Sequence, residues 1–458
     1  MSGIEFKAVS SLTLVFVFRM LGLFMVLPVL VLYAKDMPGY TPAMAGLAIG
    51  AYGFSQALLQ IPFGWLSDRV GRKPIILFGL VVFLIGSVVA AQAETMNWII
   101  GGRVLQGCGA IAGAITALMA DLTREQYRAR AMAMIGIGIG IAFCLAMIIG
   151  PVVGHWWGLS GLFNTNAVMG LTAILIVLFL VPSPVVTRKD LNTAVKARDI
   201  QTILTNSQLT RHFFGIFALH FSLMSLFVFV PEFLTDNAGI PREQHGWLYL
   251  IVMVASFVSI IPLIIYSERS RSLKQFYVLG IIIIMAAIVS MGLGRHSSVR
   301  VLGGLFLFFI AFNFLEATLP SLVSKLSKAG TRGTSMGMYS TCQFLGAALG
   351  GAMGGWALQH AGIIGVMITC AVPTTLWLIL SITMKQPPYV SSLVMALNSD
   401  TVPVGQPMDA THARSIGDQL TKIRGVEEVT VLPEEKTAYI KVNKRTLDFP
   451  ALHQFGKC

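Results

Sequence analysis

Apolar runs about as long as a bilayer is thick alternate with short polar connections along the 458 residues. A hydrocarbon core of about 30 Å takes roughly 20 residues of helix. At that length the chain divides into spans at 10–33, 43–66, 74–93, 96–120, 130–154, 162–182, 211–234, 245–266, 273–294, 300–323, 333–358 and 363–384. Twelve spans are therefore predicted. Backbone polar groups inside a bilayer must pair within their own segment, so these runs predict helices. The period-two alternation of a membrane barrel is absent. The first run reads from Ser10 to Tyr33 through Arg19 with no small-residue cleavage site, which predicts a first span and not a removed leader.

Composition agrees with the pattern. Hydrophobic residues make up 55% and charged residues 12%, with a mean hydropathy of +0.75, values that exclude an ordinary soluble domain. The formal charge of +12 invites a nucleic-acid reading, but its distribution points to a lipid bilayer. Of 33 Lys and Arg, 19 fall in the connections on one side, 4 on the other, 2 within spans and 8 in the C-terminal tail. Basic connections follow spans 2, 4, 6, 8 and 10, so the positive-inside rule places both termini in the cytoplasm. The tail balances its 8 basic residues with 8 acidic ones, and no nucleic-acid partner is expected. Cys108, Cys144, Cys342 and Cys370 sit in spans and Cys458 is terminal, with no CxxC or Cys/His cluster. Neither a disulfide framework, a metal site nor a cofactor is expected.

The longest internal connection, 183–210, carries Arg188, Lys189, Lys196 and Arg198 and divides the spans six and six. The domains are therefore read as 1–182, a connecting loop 183–210, 211–384, and a tail 385–458. The halves look related. Ile61-Pro62-Phe63 through Ser67-Asp68-Arg69 repeats 200 residues later as Ile261-Pro262-Leu263 through Ser267-Glu268-Arg269. A weaker echo links Arg130–Met134 with Thr334–Met338. Repeated halves are what a protein that rocks about a central site is built from.

The first copy opens the densest polar stretch of the chain, Gly64-Trp65-Leu66-Ser67-Asp68-Arg69-Val70-Gly71-Arg72-Lys73-Pro74. Basic residues alone would make it a generic positive loop. The whole pattern resembles the signature loop between the second and third helices of the major facilitator superfamily. That resemblance implies a transporter with a conformational latch formed by Gly64, Asp68, Arg69, Gly71 and Arg72, in which Asp68 faces the start of span 11 and Arg72 pairs with Asp121. Gly64 would let helices approach and Gly71 would permit the turn. In the second copy Ile264 replaces Gly64 and Ser272 replaces Arg72, so an asymmetric latch is expected.

Span 4 begins Arg103-Val104-Leu105-Gln106-Gly107-Cys108-Gly109, which resembles the superfamily's second motif, with its buried Arg and Gln. Span 5 holds Gly150-Pro151-Val152-Val153-Gly154-His155 after Gly136, Gly138 and Gly140. It is similar to the motif of the drug:proton antiporter branch, except for Ala146 and His155 where glycines are usual. Gly150, Pro151 and Gly154 are either that motif or a small-residue packing face.

Ionisable residues inside a membrane are costly and point to function. Those deep in spans are Arg19, Arg103, His220 and Glu316, in spans 1, 4, 7 and 10, the helices that line the central cavity in the fold the resemblance implies. Glu316 is the one acid well inside a span, with Asn313 a turn before it and Pro320 a turn after. A carboxyl out of water must be neutral or paired, so Glu316 is either the proton-coupling group or a structural acid paired with a cation such as Arg19. Arg19 would pair with Glu316 or with an anionic group. His220 is a second titrating candidate or a packing histidine. Tyr52, Gln56 and Gln60 recur on one face of span 2, bordering the cavity or forming a polar seam.

After Lys385 the pattern turns soluble. Pro387-Pro388 ends the last helix. A strand is predicted at 388–397, a helix at 411–424 capped by Thr411, a hairpin at 426–442 turning at 433–436, and a short helix at 449–455. The order resembles a ferredoxin-like module, similar to the heavy-metal-associated family in Gly425-Val426-x-x-Val429-x-Val431 but without its CxxC pair. A role in ligand binding or regulation is expected of it.

The sequence thus predicts an all-α membrane protein of twelve helices in two halves, with a small α+β tail. It reads as a transporter of the bacterial inner membrane exchanging a small, amphipathic substrate for protons. Uptake by symport, or a sensor with a transporter-like core, are the alternatives. No nucleophile and base pair, phosphate loop or metal cluster suggests an enzyme.

Overall fold

In the computed structural model, residues 1–182, 197–294, 297–327, 332–386, 391–397, 409–432, 437–443 and 446–457 are described. The expected elements at 183–196, Pro387-Pro388 and the turn at 433–436 lie outside them. The chain divides into two compact units, Met1–Ser324 with Thr331–Lys385, and Lys325–Gly330 with Gln386–Cys458.

The first unit is helical. Helix α1 (Gly3–Phe24) starts on a capping box in which Ser2 Oγ accepts from the Glu5 amide and Glu5 Oε2 accepts from the Ser2 amide. The expected single span 10–33 is interrupted: after Phe24 the chain turns through Pro28 and resumes as α2 (Leu30–Tyr33). Proline has no amide hydrogen to continue a helix ladder. Thr41 caps α3 (Pro42–Val70), accepting from the Met44 amide. Gly71 follows at φ +110°, a conformation only glycine adopts without strain, and turns the chain into α4 (Arg72–Ala91).

Span 4 is also divided, into α5 (Met96–Cys108) and α6 (Ala112–Asp121), with a buried break at Gly109-Ala110-Ile111. Helix α7 (Glu125–Phe179) covers the fifth and sixth predicted spans. It bends at Gly158, φ +60°, without the loop expected between them. After α8 (Ala197–Thr205) come α9 (Ser207–Phe227), α10 (Val230–Asp236), a short 3₁₀ turn at Arg242–Gln244, α11 (His245–Arg269), α12 (Leu273–Leu293) and α13 (Ser298–Leu326). Helix α14 (Arg332–Ile382) covers the last two spans and bends at Gly362, φ +61°. Among the described residues, ten helical segments are long and apolar enough to cross a membrane, two of them of 50 residues. The exposed flanks of α3, α7 and α11 carry large apolar side chains such as Phe54, Leu58, Ile137 and Ile251, as a lipid-facing surface requires.

The second unit runs β1 (Ser391–Leu397), α15 (Ala410–Thr421), β2 (Val426–Leu432), β3 (Thr437–Val442), α16 (Phe449–His453) and β4 (Gly456–Lys457). The sheet order is β2-β3-β1-β4, all antiparallel, with Leu393 and Val429 both opposite Ile440. Alternate residues Ala438, Ile440 and Val442 face a core completed by Met395, by Ala413, Ile416 and Leu420 of α15, and by Leu452. Two expectations change. The last strand, β4, was not foreseen, and α15 begins at Ala410, so Thr411 lies inside the helix instead of capping it.

Candidate functional site

Three helices of the C-terminal half bring a carboxyl, an imidazole and an amide together. Gln343 of α14 donates from Nε2 to Glu316 Oε1 of α13 at 3.1 Å and lies 2.9 Å from His220 Nε2 of α9. His220 Nδ1 and Glu316 Oε2, 3.8 Å apart, have no hydrogen-bond partner among the described residues. The Glu316 side chain retains 27% exposure, against 4% for His220. Close by on α13, Asn313 donates to Ser256 Oγ of α11 at 2.9 Å. A carboxyl with one neutral donor and an open oxygen can take up and release a proton with little rearrangement around it.

The N-terminal half holds a separate network. Arg19 Nη2 donates to Tyr52 Oη and to Gln56 Oε1, each at 2.9 Å, and Gln56 donates on to Gln60. The guanidinium lies 4.9 Å over the Phe83 ring. The expected pairing of Arg19 with Glu316 is therefore corrected: Arg19 is bound by uncharged partners on α3, and Glu316 accepts from Gln343 instead. Tyr52, Gln56 and Gln60 form a buried seam between helices, away from the cavity wall. Arg103 donates to the Ala48 carbonyl and to Gln106 Oε1, and Gln106 donates to Ser87 Oγ. It too lies inside the half and not on the cavity surface.

Between the halves lies a cavity of about 60 Å³. Its wall is apolar on the N-terminal side, with Phe16, Met20, Leu23 and Phe24 of α1 and Ala112 of α6. The C-terminal side adds His220, Ser340 and Gln343 beside Met224 and Phe344. Gln343, the one amide side chain in the span predicted at 333–358, is the signal in the sequence for this wall.

At the end carrying the basic connections, Asp68 is paired with Arg72, and Arg72 Nε lies 3.4 Å from Asp121 Oδ2. Arg69 stacks on Trp65 at 3.9 Å. A methyl group on Gly64 would meet nothing within 4 Å, so no close helix approach occurs there. The opposite end is closed. A methyl on Gly53 of α3 would lie 2.7 Å from the Phe344 carbonyl oxygen, and methyls on Gly46 and Gly50 would strike the carbonyls of Gly351 and Ala348. Lys35 pairs with Glu232 at 2.8 Å and Asp236 at 3.1 Å, and His155 lies 3.5 Å from Glu243. Partial burial disfavours the Lys35 charge, but hydrogen bonds to the two carboxylates outweigh it and hold its pKa above the usual lysine value. These cross-half pairs were not read from the sequence, because each joins residues about 90 to 200 positions apart.

In α7 the candidate antiporter motif packs on the broken first span. Methyls on Gly150 and Gly154 would lie 2.6 Å from the Met25 carbonyl oxygen and 2.7 Å from Val29, while Pro151 faces Gly246 of α11. At the start of α1, Glu5 accepts from the Arg124 backbone and guanidinium at 2.9–3.1 Å. Its Ser-x-x-Glu capping pattern was visible in the sequence; its distant partner was not.

The chain matches the model of the Major Facilitator Superfamily over residues 12–212 and 212–394. It is 43% identical over 441 residues to the inner membrane transport protein YajR of Escherichia coli, covering 96% of this chain and 95% of that one. The multidrug resistance protein MdtH of Cronobacter sakazakii is 26% identical, covering 73% of this chain and 83% of its own. Among solved structures, a bacterial homologue of the human lysosomal transporter Spinster, inward-facing and unoccupied, superposes with a TM-score of 0.64 at 14% identity. That match covers 83% of this chain and 95% of the other.

Proposed function

The chain belongs to the Major Facilitator Superfamily and is a multi-pass membrane transporter, not an enzyme, and on that premise we propose that it is a proton-coupled antiporter exporting a small amphipathic compound by alternating access. The observation that carries the reading is the cluster of Glu316, Gln343 and His220, two of whose members open on the cavity between the halves. Glu316 is the proton-coupling group, with His220 beside it as the second candidate. Proton binding stabilises one rocking state and substrate binding the other, each through differential affinity for the two states. The Gly150-Pro151 and Gly154 packing of α7 on the broken first span, and the multidrug relative, support export.

Helices α7 and α14, of 55 and 51 residues, would each reach about 80 Å at 1.5 Å per residue if straight. That is far more than a bilayer core, so each counts as two spans around its bent glycine and the total is twelve, six in 1–182 and six in 211–384 with 183–210 between. The basic connections put both termini in the cytoplasm, and YajR, by its name an inner membrane protein, supports the bacterial inner membrane as the location. The tail, 385–458, is read as a ferredoxin-like module on its βαββαβ order and sheet order β2-β3-β1-β4, with a part in regulation or ligand binding.

In this orientation the closed end is the outer one, and Arg72 holds Asp68 in the state described. In the outward-open state Asp68 turns to the start of span 11 and latches the halves. Asp68→Asn is expected to lower the outward-open fraction roughly two- to fivefold, the scale of a carboxylate at a helix start. Distance measurements between labels on the two halves read this directly, and an unaltered balance in the variant refutes the latch.

The coupling is tested in proteoliposomes with a compound found by a thermal-shift screen. Solute-driven proton release is the expected result. Proton uptake with the solute would establish symport instead, and binding without flux would establish a sensor.

A further inference from the structure

The N-terminal half contains two buried guanidiniums that no carboxylate of a described residue neutralises, and one of them stands at a break in a helix. Arg19 is 3% exposed. Its Nη2 is taken by Tyr52 and Gln56, whereas its Nη1 has no hydrogen-bond partner among the described residues. No carboxylate of a described residue lies within ion-pair distance of it. Nη1 is aimed at the break, 2.7 Å from where a methyl on Gly109 would stand. Immediately after the break α6 begins without a side-chain cap, and its first residue, Ala112, is on the cavity wall with Phe16 and Met20.

A helix start offers unpaired backbone N–H groups and a partial positive charge. Together with a free guanidinium edge, that is the donor set an anion requires. Arg103, 0% exposed and with Nη2 unpartnered, adds positive potential: the Tyr52 ring lies 5.7 Å from the Arg19 guanidinium and 5.0 Å from that of Arg103. A buried cation without a counter-ion is unfavourable, and a ligand anion supplies the missing partner.

We infer that the compound carried is an amphipathic organic anion whose charged group docks between Arg19 Nη1 and the start of α6, with its apolar body against Phe16, Met20 and Phe344. The inference rests on the transport reading above and names the substrate class of that cavity. The anion and the proton are held by different halves, so their coupling runs through the rocking equilibrium and not through direct competition.

The test titrates the purified full-length protein in nanodiscs with the phenylalkanoates from phenylacetate to phenylbutyrate and with the matching primary amides. The wild type is expected to bind its best acid about tenfold or more tightly than the amide, the range of a charge-assisted hydrogen bond. Arg19→Gln brings that ratio to about one. Arg19→Lys keeps the cation but not the planar fork and lowers the ratio severalfold, which preserves a readout if Arg19→Gln does not fold. A wild type without preference for the acid, a preference that survives in Arg19→Gln, or an unchanged ratio in Arg19→Lys overturns the site. No gradient enters the binding measurement, so acid-selective binding in a protein that shows no flux would refute transport and leave the anion site standing.

Discussion

Glu316→Gln is expected to flatten the pH dependence of the rocking equilibrium and to reduce uphill transport to the passive level. The wild-type carboxyl accepts one hydrogen bond from Gln343 and leaves Oε2 open beside His220. Glutamine fills the same volume and still accepts through its carbonyl, but it cannot exchange a proton. In the wild type, a single titrating group changes the ratio of the two states by at most about tenfold per pH unit, read as the distance distribution between labels on the two halves from pH 5 to pH 9. The variant should hold one ratio throughout, the one the protonated wild type approaches at low pH. Downhill exchange of substrate should persist, because the cavity wall is intact. A variant that keeps the pH response and still accumulates substrate would remove Glu316 from the mechanism. In that case His220→Gln becomes the deciding substitution.

Gly50→Ala is expected to shift the balance away from the state described here, by roughly 5- to 150-fold, the equivalent of about 1–3 kcal/mol of overpacking. The added methyl would strike the Ala348 carbonyl, a backbone atom that cannot rotate aside, in a contact where Gly46 and Gly53 on the same face of α3 are equally crowded by α14. Only this end of the bundle is affected, so the halves must separate there and that end opens. Cysteines introduced as Lys35→Cys and Asp236→Cys, in a background cleared of the native thiols, report closure by crosslinking. Their positions follow from the 3.1 Å Lys35–Asp236 pair. Gly101→Ala is the control, since a methyl there meets nothing within 4 Å. Equal crosslinking in Gly50→Ala and the control would show that the α3–α14 contact does not govern closure.

How legible the protein was in its sequence differs from element to element. The helices and the transporter family were readable, because the bilayer length and the Gly64–Pro74 stretch are local signals. The interruptions at Pro28, Gly109 and Phe229 were not, because an apolar run looks continuous whether or not the helix inside it breaks. The bends at Gly158 and Gly362 fall in or at the short gaps between predicted spans 130–154 and 162–182 and between 333–358 and 363–384, where apolar length alone does not show that one glycine at positive φ makes the connection. Among the candidates, the local pattern located Glu316 and His220, but it could not supply Gln343, which joins them from a helix 27 positions after Glu316 and 123 after His220. Arg19 stands out in the sequence as a buried charge, whereas Tyr52 and Gln56 read there as a cavity border or a polar seam, and nothing local ties them to Arg19.

The sequence by itself determined which segments enter the lipid, which end faces the basic side, and which few ionisable residues must be accommodated inside. All of these follow from the free energy of placing a side chain in hydrocarbon or in water. The tertiary structure decided which of those residues meet. It set Arg19 among neutral partners at the start of α6, gave Glu316 an amide and an imidazole, and closed one end of the bundle through glycine contacts and the Lys35 pairs. Those outcomes depend on how helices far apart in the chain come to lie side by side, and no local pattern encodes that.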